Sequence, residues 1–287
     1  MSILITGATG HLGKLTIEAL LRRGVPAEEI IATGRRTEAL ADLAERGVIV
    51  RRADYDDPAS LKEALAGADR MLMVSGTDMG RRVPQHANVV QAAAEAGVGL
   101  IAYTSILRAD ASTLPPAEEH RGTEALLADS GVPHVQLRNG WYIENYTSQL
   151  TTYLEHGIIG AAGEGKISAA TRADYAEAAA TVLTTEGHAG SAYELGGEAF
   201  TMAQLAQVIT AVSGTQVTYT DLPAEQYIAA LTGAGLPEPV AHVLADIDRG
   251  AATGQLEVDT TDLQALIGRA PTSLTDAVAA ELAALDG

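Results

Sequence analysis

Short apolar runs and amphipathic stretches alternate along the first half of the chain. Runs at Ile3 to Thr6, Ile30 to Thr33, Val48 to Arg51, Met71 to Val74, Leu100 to Thr104 and His134 to Leu137 have the length of buried strands. Between them, apolar residues recur at helical spacing in Leu12 to Arg23, Glu38 to Arg46, Ala59 to Ala66, Val89 to Ala96 and Glu118 to Ser130. Gly24, Gly47, Gly67, Gly97 and Gly131 follow these helices closely, at the place where a left-handed cap favours a residue without Cβ. Parallel neighbours need crossover connections rather than hairpins, so the alternation predicts βαβ units and a doubly wound parallel sheet.

Beyond residue 140 the rhythm changes to segments interrupted by glycine. An Ala-rich helix is expected from Asp174 to Thr184 and a strand from Ala192 to Leu195. Met202 to Val212, Ala224 to Thr232 and Pro239 to Asp248 read as helices, Val217 to Tyr219 as a strand, and Leu263 to Leu285 as helical in parts. The expected organisation is an α/β fold: a dinucleotide-type domain over residues 1–140 and a small C-terminal α/β lobe over 141–287, parts of which can return to the sheet. No internal repeat or low-complexity linker separates the two.

Composition narrows the functional classes. Hydrophobic residues make up 47% of the 287 positions but aromatics only 4%, so the core is built from Ala, Leu, Ile and Val and the few rings carry information. With 19 basic against 37 acidic residues, the formal charge of −18 repels nucleic acid and anionic membrane surfaces. Zero cysteine excludes disulfides, thiolate metal sites and cysteine nucleophiles, and suits a reducing compartment. No stretch of about 18 apolar residues suggests a membrane span, and the first strand begins too early for a signal peptide. The expectation is a soluble cytoplasmic protein with a small-molecule partner and an open possibility of self-association. The seven histidines lack His-x-x-x-His spacing, so no metal is expected. Ser105 lacks the Gly-x-Ser-x-Gly context of a hydrolase.

The most informative motif follows the first strand: Thr6-Gly7-Ala8-Thr9-Gly10-His11-Leu12-Gly13, leading directly into a helix. Glycines here permit a sharp turn and close approach of a pyrophosphate, whose charge meets free N–H groups and the positive end of the helix dipole. Gly7, Thr9, Gly10, His11, Leu12 and Gly13 are therefore the candidate diphosphate-binding residues. An NAD-selective chain places Asp or Glu at the end of the second strand to accept from the ribose 2′-hydroxyl. This chain has Gly34-Arg35-Arg36 there, and a guanidinium pairs with a 2′-phosphate. NADP(H) is thus favoured over NAD(H). Asp54 and Tyr55, after the third strand, are candidates for the adenine side, and Ser75 and Gly76, after the fourth, for the nicotinamide ribose.

Together with this turn, Tyr103-Thr104-Ser105, the run Leu137 to Tyr146 (LRNGWYIENY) and Ala170 to Ala179 (ATRADYAEAA) resemble the NmrA-like atypical short-chain dehydrogenases, in particular their type 2 NAD(P)H:quinone oxidoreductase and triphenylmethane reductase branches. The resemblance covers most of the chain. It implies a Rossmann domain, a small C-terminal lobe, NADPH and reduction of quinone-like substrates. Typical short-chain dehydrogenases carry a Tyr-x-x-x-Lys pair after the fifth strand, where this chain has His120-Arg121-Gly122-Thr123-Glu124. His120 and Glu124 share a helix face and are placed to hydrogen-bond one another. A quinone becomes aromatic on accepting hydride, so it needs less acid assistance than an isolated ketone, and positioning can suffice. His120, Tyr142 and Asn139 are the candidates for direct involvement in the chemistry; Ser105, Trp141 and Tyr146 are the candidate substrate wall. Two other readings stay open: a sensor that binds NADP(H) without turnover, and a tailoring enzyme acting on a larger polyketide quinone.

Overall fold

A computed structural model describes residues 1–285. The main sheet is formed by β1 (Ile3–Ile5), β2 (Ile30–Gly34), β3 (Ile49–Arg52), β4 (Arg70–Met73), β5 (Leu100–Ile106), β6 (His134–Asn139) and β8 (Ala192–Leu195). Its order is β3-β2-β1-β4-β5-β6-β8, with every neighbouring pair parallel. Chain direction reverses its progress across the sheet between β1 and β4, which creates the crevice expected of a doubly wound fold. The strands in the middle read as continuous apolar runs because both of their faces are covered: all seven residues of β5 are buried. The edge strand β3 has exposed residues at both ends.

Alternation within each strand sorts the core into two layers. Ile3 and Ile5 of β1, with Leu100 and Ala102 of β5, face one layer, whereas Leu4, Ile101 and Tyr103 face the other. Helix α1 (His11–Arg22) contributes Ile17 and Leu20 to the first layer, and α3 (Pro58–Leu65) and α4 (Arg82–Ala96) build the second. The short α2 (Ala41–Glu45) continues from a 3-10 turn over Thr37–Leu40, where the periodicity suggested one longer helix. Helix α4 starts a full two turns before its apolar pattern does. Pro84 sits in its first turn, where the missing N–H removes no helical bond. All five glycines that were expected to close helices have φ between 71° and 91°.

After α5 (Ala117–Asp129) and β6, the chain forms α6 (Glu144–Thr147), α7 (Leu150–His156) and β7 (Ile158–Gly160), none of which the hydrophobic pattern announced. Helix α8 (Arg172–Thr184) then returns to the sheet. Its Ala176, Ala178, Ala179 and Ala180 pack with α1 in the first layer, and small side chains permit that close approach. The lobe is completed by α9 (Met202–Ser213), β9 (Tyr219–Asp221), α10 (Ala224–Gly233), α11 (Glu238–Ala252) and α13 (Leu274–Leu285), while α12 (Thr261–Ile267) packs back on α8. Strand β9 lies slightly beyond the apolar run Val217 to Tyr219 because Tyr219 pairs with Ile158, whereas Val217 donates its N–H to Thr210 Oγ1.

Asp174 fastens the tail of the chain to the sheet. It is fully buried at the start of α8, and its carboxylate accepts from Arg269 at 2.7 Å, Thr272 N–H at 2.9 Å and Thr171 Oγ1 at 2.8 Å. Replacing Asp174 by alanine leaves the Thr272 amide unpaired. The expected cost is about 1–3 kcal/mol, read by calorimetry as a thermal midpoint lowered by several degrees, roughly 2–4 °C per kcal/mol at this size.

Candidate active site

The glycine turn closes on itself through Gly10 N–H donating to Gly7 O at 2.9 Å. Gly7 has φ of +60°, a conformation that favours a residue without Cβ. A Cβ on Gly13 would stand 2.5 Å from Gly7 O, so only glycine lets α1 seat directly on the turn. Gly10 caps the helix without a side-chain hydrogen bond, and the first turn of α1 holds no acidic residue. Thr9, Gly10 and His11 are exposed, while Leu12 and Gly13 are buried and offer only their backbone. The result is a helix N-terminus whose N–H groups and dipole are open to an anion.

The end of β2 abuts this turn, since a Cβ on Gly34 would meet Thr9 Cγ2 at 2.8 Å. Arg35 and Arg36 follow immediately and are exposed, and among the described residues neither guanidinium has an acidic partner. In an acidic chain, two unpaired guanidiniums beside an uncapped helix suit a phosphate monoester next to a diphosphate. The cradle thus fits a 2′-phosphorylated dinucleotide.

Tyr55 links the neighbouring strand ends: its hydroxyl lies 2.6 Å from Thr6 Oγ1 and 2.8 Å from Val74 O. Asp54 accepts from Asp56 N–H at 3.1 Å and holds the turn, whereas the cap of α3 is Asp57, which accepts from Ser60 N–H at 3.2 Å. Ser75 N–H donates to Thr104 Oγ1 at 2.8 Å, and Gly76 N–H donates to His86 Nε2 at 3.0 Å. Because His86 Nε2 accepts, its proton is on Nδ1, which donates to Thr123 Oγ1 at 2.8 Å. That hydroxyl in turn donates to Glu119 O.

His120 shares a 2.7 Å hydrogen bond with the fully buried Tyr103 hydroxyl. Burial, with the Arg82 charge adding to it, pushes both His86 and His120 down to about 3, so both rings are neutral at working pH. The expected His120–Glu124 bond does not form. Arg138 of β6 captures Glu124 through two bonds of 2.8 and 3.0 Å, and Ser105 Oγ donates to the same carboxylate at 2.6 Å. A guanidinium fork outcompetes a neutral imidazole for a carboxylate.

From Asn139 to Tyr146 the chain crosses from the sheet into the lobe. Asn139 is buried, and its Oδ1 has no hydrogen-bond partner. Arg172 stacks over the Tyr142 ring at 4.6 Å, donates to Asn145 Oδ1 at 3.2 Å and accompanies Glu144 at 3.8 Å. Burial raises the Tyr142 hydroxyl above its usual range. Trp141 packs half-buried against the lobe core, and the Tyr146 ring meets Phe200 edge-on at 5.9 Å. The structure thus brings Asn139, Trp141, Tyr142 and Tyr146 onto one segment, with His120 and Ser105 on the adjoining β5–α5 unit.

A model of the NmrA-like family matches residues 1–262. The chain belongs to this family. It is 51% identical to quinone oxidoreductase 2 of Escherichia coli K12 over 278 residues, 96% of this chain and 97% of that one. The crystal structure of the NADPH-dependent E. coli quinone oxidoreductase complexed with NADPH superposes with a TM-score of 0.94 at 50% identity, covering 98% and 99% of the two chains. The NADP(H) complex of Citrobacter sp. triphenylmethane reductase gives 0.93 at 40% identity, covering 98% and 100%. This NmrA-like chain accordingly has a Rossmann-like sheet, and none of its described helices is long and apolar enough to cross a membrane.

Several side chains around the site escaped the sequence reading. His86 is fully buried and no spacing marks it, and Tyr103, legible as part of the Tyr103-Thr104-Ser105 strand end, gave no sign of its bond to His120. Asp248 carried a usable signal, because an acidic residue interrupts the buried stripe Ala241, Ala245, Ala251 of an amphipathic helix. For the cofactor cradle the expected outcome is specific: Arg35→Asp weakens NADPH by roughly 10–100-fold, the loss of one charge-assisted hydrogen bond, and leaves NADH nearly unchanged in a titration. Equal loss of both would remove Arg35 from the 2′-phosphate site.

Proposed function

We propose that this chain is an NADPH-dependent reductase that passes hydride to quinones and related flat aromatics, working mainly by positioning. The observation that carries the reading is full-length similarity, at 50% identity, to a quinone oxidoreductase complexed with NADPH. The uncapped α1 turn and the free Arg35 and Arg36 support the same cofactor. In this reading Gly7, Thr9, Gly10, His11, Leu12 and Gly13 hold the diphosphate and Arg35 and Arg36 the 2′-phosphate. Asp54 and Tyr55 shape the adenine side, Ser75 and Gly76 the side of the nicotinamide ribose.

The bound dinucleotide supplies the hydride. The protein's part is to bind, orient and keep water out. The buried, unpaired Asn139 Oδ1 is an acceptor that suits an N–H donor from a ligand. Trp141, Tyr142 and Tyr146 form the aromatic wall, and Ser105, already engaged by Glu124, contributes shape rather than a free hydroxyl. His120 is neutral and cannot act as an imidazolium acid, so its role is to steady Tyr103 and offer a polar ring edge.

Stopped-flow mixing with NADPH and a panel of quinones tests this directly. Nicotinamide absorbance is expected to fall with every accessible quinone and to stay constant with isolated ketones, which gain no aromaticity. Tight NADPH binding with no oxidation by any quinone would favour a sensor instead. General acid–base groups typically contribute about 10²–10⁴-fold. His120→Gln is therefore expected to lower kcat/KM by less than about tenfold, and a larger loss would make His120 a direct participant.

A further inference from the structure

Three tyrosines in the lobe share an unusual arrangement. Tyr146 of α6, Tyr153 of α7 and Tyr227 of α10 are each only 8–9% exposed, and the rings of Tyr146 and Tyr153 belong to the apolar core of the lobe. Among the described residues, none of their hydroxyls has a hydrogen-bond partner. Yet the only sealed, partnerless side-chain polar atoms among those residues are Asn139 Oδ1 and Glu144 Oε2. The three hydroxyls therefore open onto water while their rings do not. A buried phenol normally finds a partner, and three unpaired tips at the end of packed rings describe the wall of a polar recess.

Asp248 of α11 joins them. One carboxylate oxygen accepts from Ala161 N–H at 2.7 Å, and the other is free. No cation among the described residues pairs with it: the adjacent Arg249 turns outward to Asp246. A Cβ on Gly160 would meet both Asp248 Oδ2 at 2.9 Å and the Tyr219 ring at 3.1 Å, and the Asp248 charge raises the hydroxyls of Tyr146 (α6), Tyr153 (α7), Tyr227 (α10) and Tyr219 (β9), as the Asp221 charge of β9 raises Asp248. Tyr219 is taken up by Asp221 at 2.8 Å and by Ala162 N–H at 3.1 Å. Burial first, with the Asp221 charge adding to it, raises the Asp248 carboxyl to about 6. The core that holds Tyr146 and Tyr153, with Tyr219 packed against it, also includes Ile106 and Ala109 from the end of β5 and Ile143 from beyond β6. It therefore sits over the carboxyl ends of the strands, where ligands bind in this fold.

We propose that Tyr146, Tyr153, Tyr227 and Asp248 form the oxygen-binding end of the substrate pocket, where Asp248 gives its proton to the ring oxygen that becomes anionic on reduction. This rests on the reductase reading above. In the balanced step the substrate gains hydride with its two electrons from NADPH, and the O–H bond of the Asp248 carboxyl breaks as the new phenolic O–H forms. The carboxylate recovers a proton from water through the open recess. Phenols serve as donors to the same oxygen and hold an oxygen-substituted ring at the recess. The acid form is required, so its contribution is present below the Asp248 pKa and disappears as pH rises through about 6.

Two measurements test this. With saturating NADPH, wild-type kcat/KM for a quinone is expected to fall by about 100-fold between pH 5 and 8, the low end of an acid–base contribution. Asp248→Asn is expected to follow a flat profile at the lower level. Separately, 2-naphthol, a redox-inert hydroxyaromatic, is titrated against the fluorescence of Trp141, the single tryptophan, which packs on this core. Its dissociation constant is expected to rise about tenfold in the Tyr153→Phe/Tyr227→Phe double variant, the loss of two neutral hydrogen bonds. A wild-type pH profile retained in Asp248→Asn, or unchanged naphthol binding in the double variant, overturns the proposal. Should Asp248→Asn fail to fold, a flat wild-type profile overturns it equally. Absence of quinone turnover in the wild type would instead overturn the reductase reading, and the naphthol titration would still decide whether the recess binds oxygenated rings.

Discussion

The close seating of α1 on the turn after β1 is the constraint from which the site follows. A helix can present its first N–H groups to an anion only if nothing in the protein caps them and the backbone beneath lies flat against the helix. Gly13 meets the second requirement, with no room for a Cβ against Gly7 O, and Gly10 meets the first. The same contact fixes where β2 must end. Gly34 approaches Thr9, and the basic pair that follows is delivered to the rim of the anion site rather than to an arbitrary surface.

Around that cradle the protein manages its buried polarity in two ways. Between sheet and helices, His86, Thr123, Tyr103 and His120 satisfy one another and remain uncharged, which stiffens the β4–β5 end of the crevice. Glu124, Ser105 and Arg138 do the same with charges. In the lobe, by contrast, the hydroxyls of Tyr146, Tyr153 and Tyr227 and one carboxylate oxygen of Asp248 are left without such partners. The first arrangement is what a scaffold looks like; the second is what an unfinished hydrogen-bond network awaiting a ligand looks like.

Much of this was legible in the sequence for physical reasons that differ by region. Parallel strands buried on both faces leave continuous apolar runs, so the strands of the sheet stood out, as did the helix-closing glycines. The glycine turn and Arg35-Arg36 are local in sequence and therefore readable. Helix α6, helix α7 and strand β7 were not, because they are short and rely on distant parts of the chain: β7 pairs with β9, and α6 packs on α13. Nor was the fate of Glu124: its i, i+4 relation to His120 is local, but its partner Arg138 arrives from the next strand and carries the charge that wins. Tyr153, Tyr227 and Asp248 converge from three helices, and only the fold reveals that they meet.

The fastening of the tail by Asp174 also orders events in time. The layer around α1 lacks part of its cover until residues 172–184 exist, and the buried Asp174 of α8 gains Arg269 and Thr272 only 95 and 98 residues later. A chain emerging from the ribosome, which adds roughly 5–20 residues per second, therefore exposes the apolar face of its first strands through most of its synthesis. The glycine turn and Arg35-Arg36 are made before α8. The first layer is thus closed by a segment made late, and its apolar surface is fully shielded from water only once α8 and the residues that anchor it have been made.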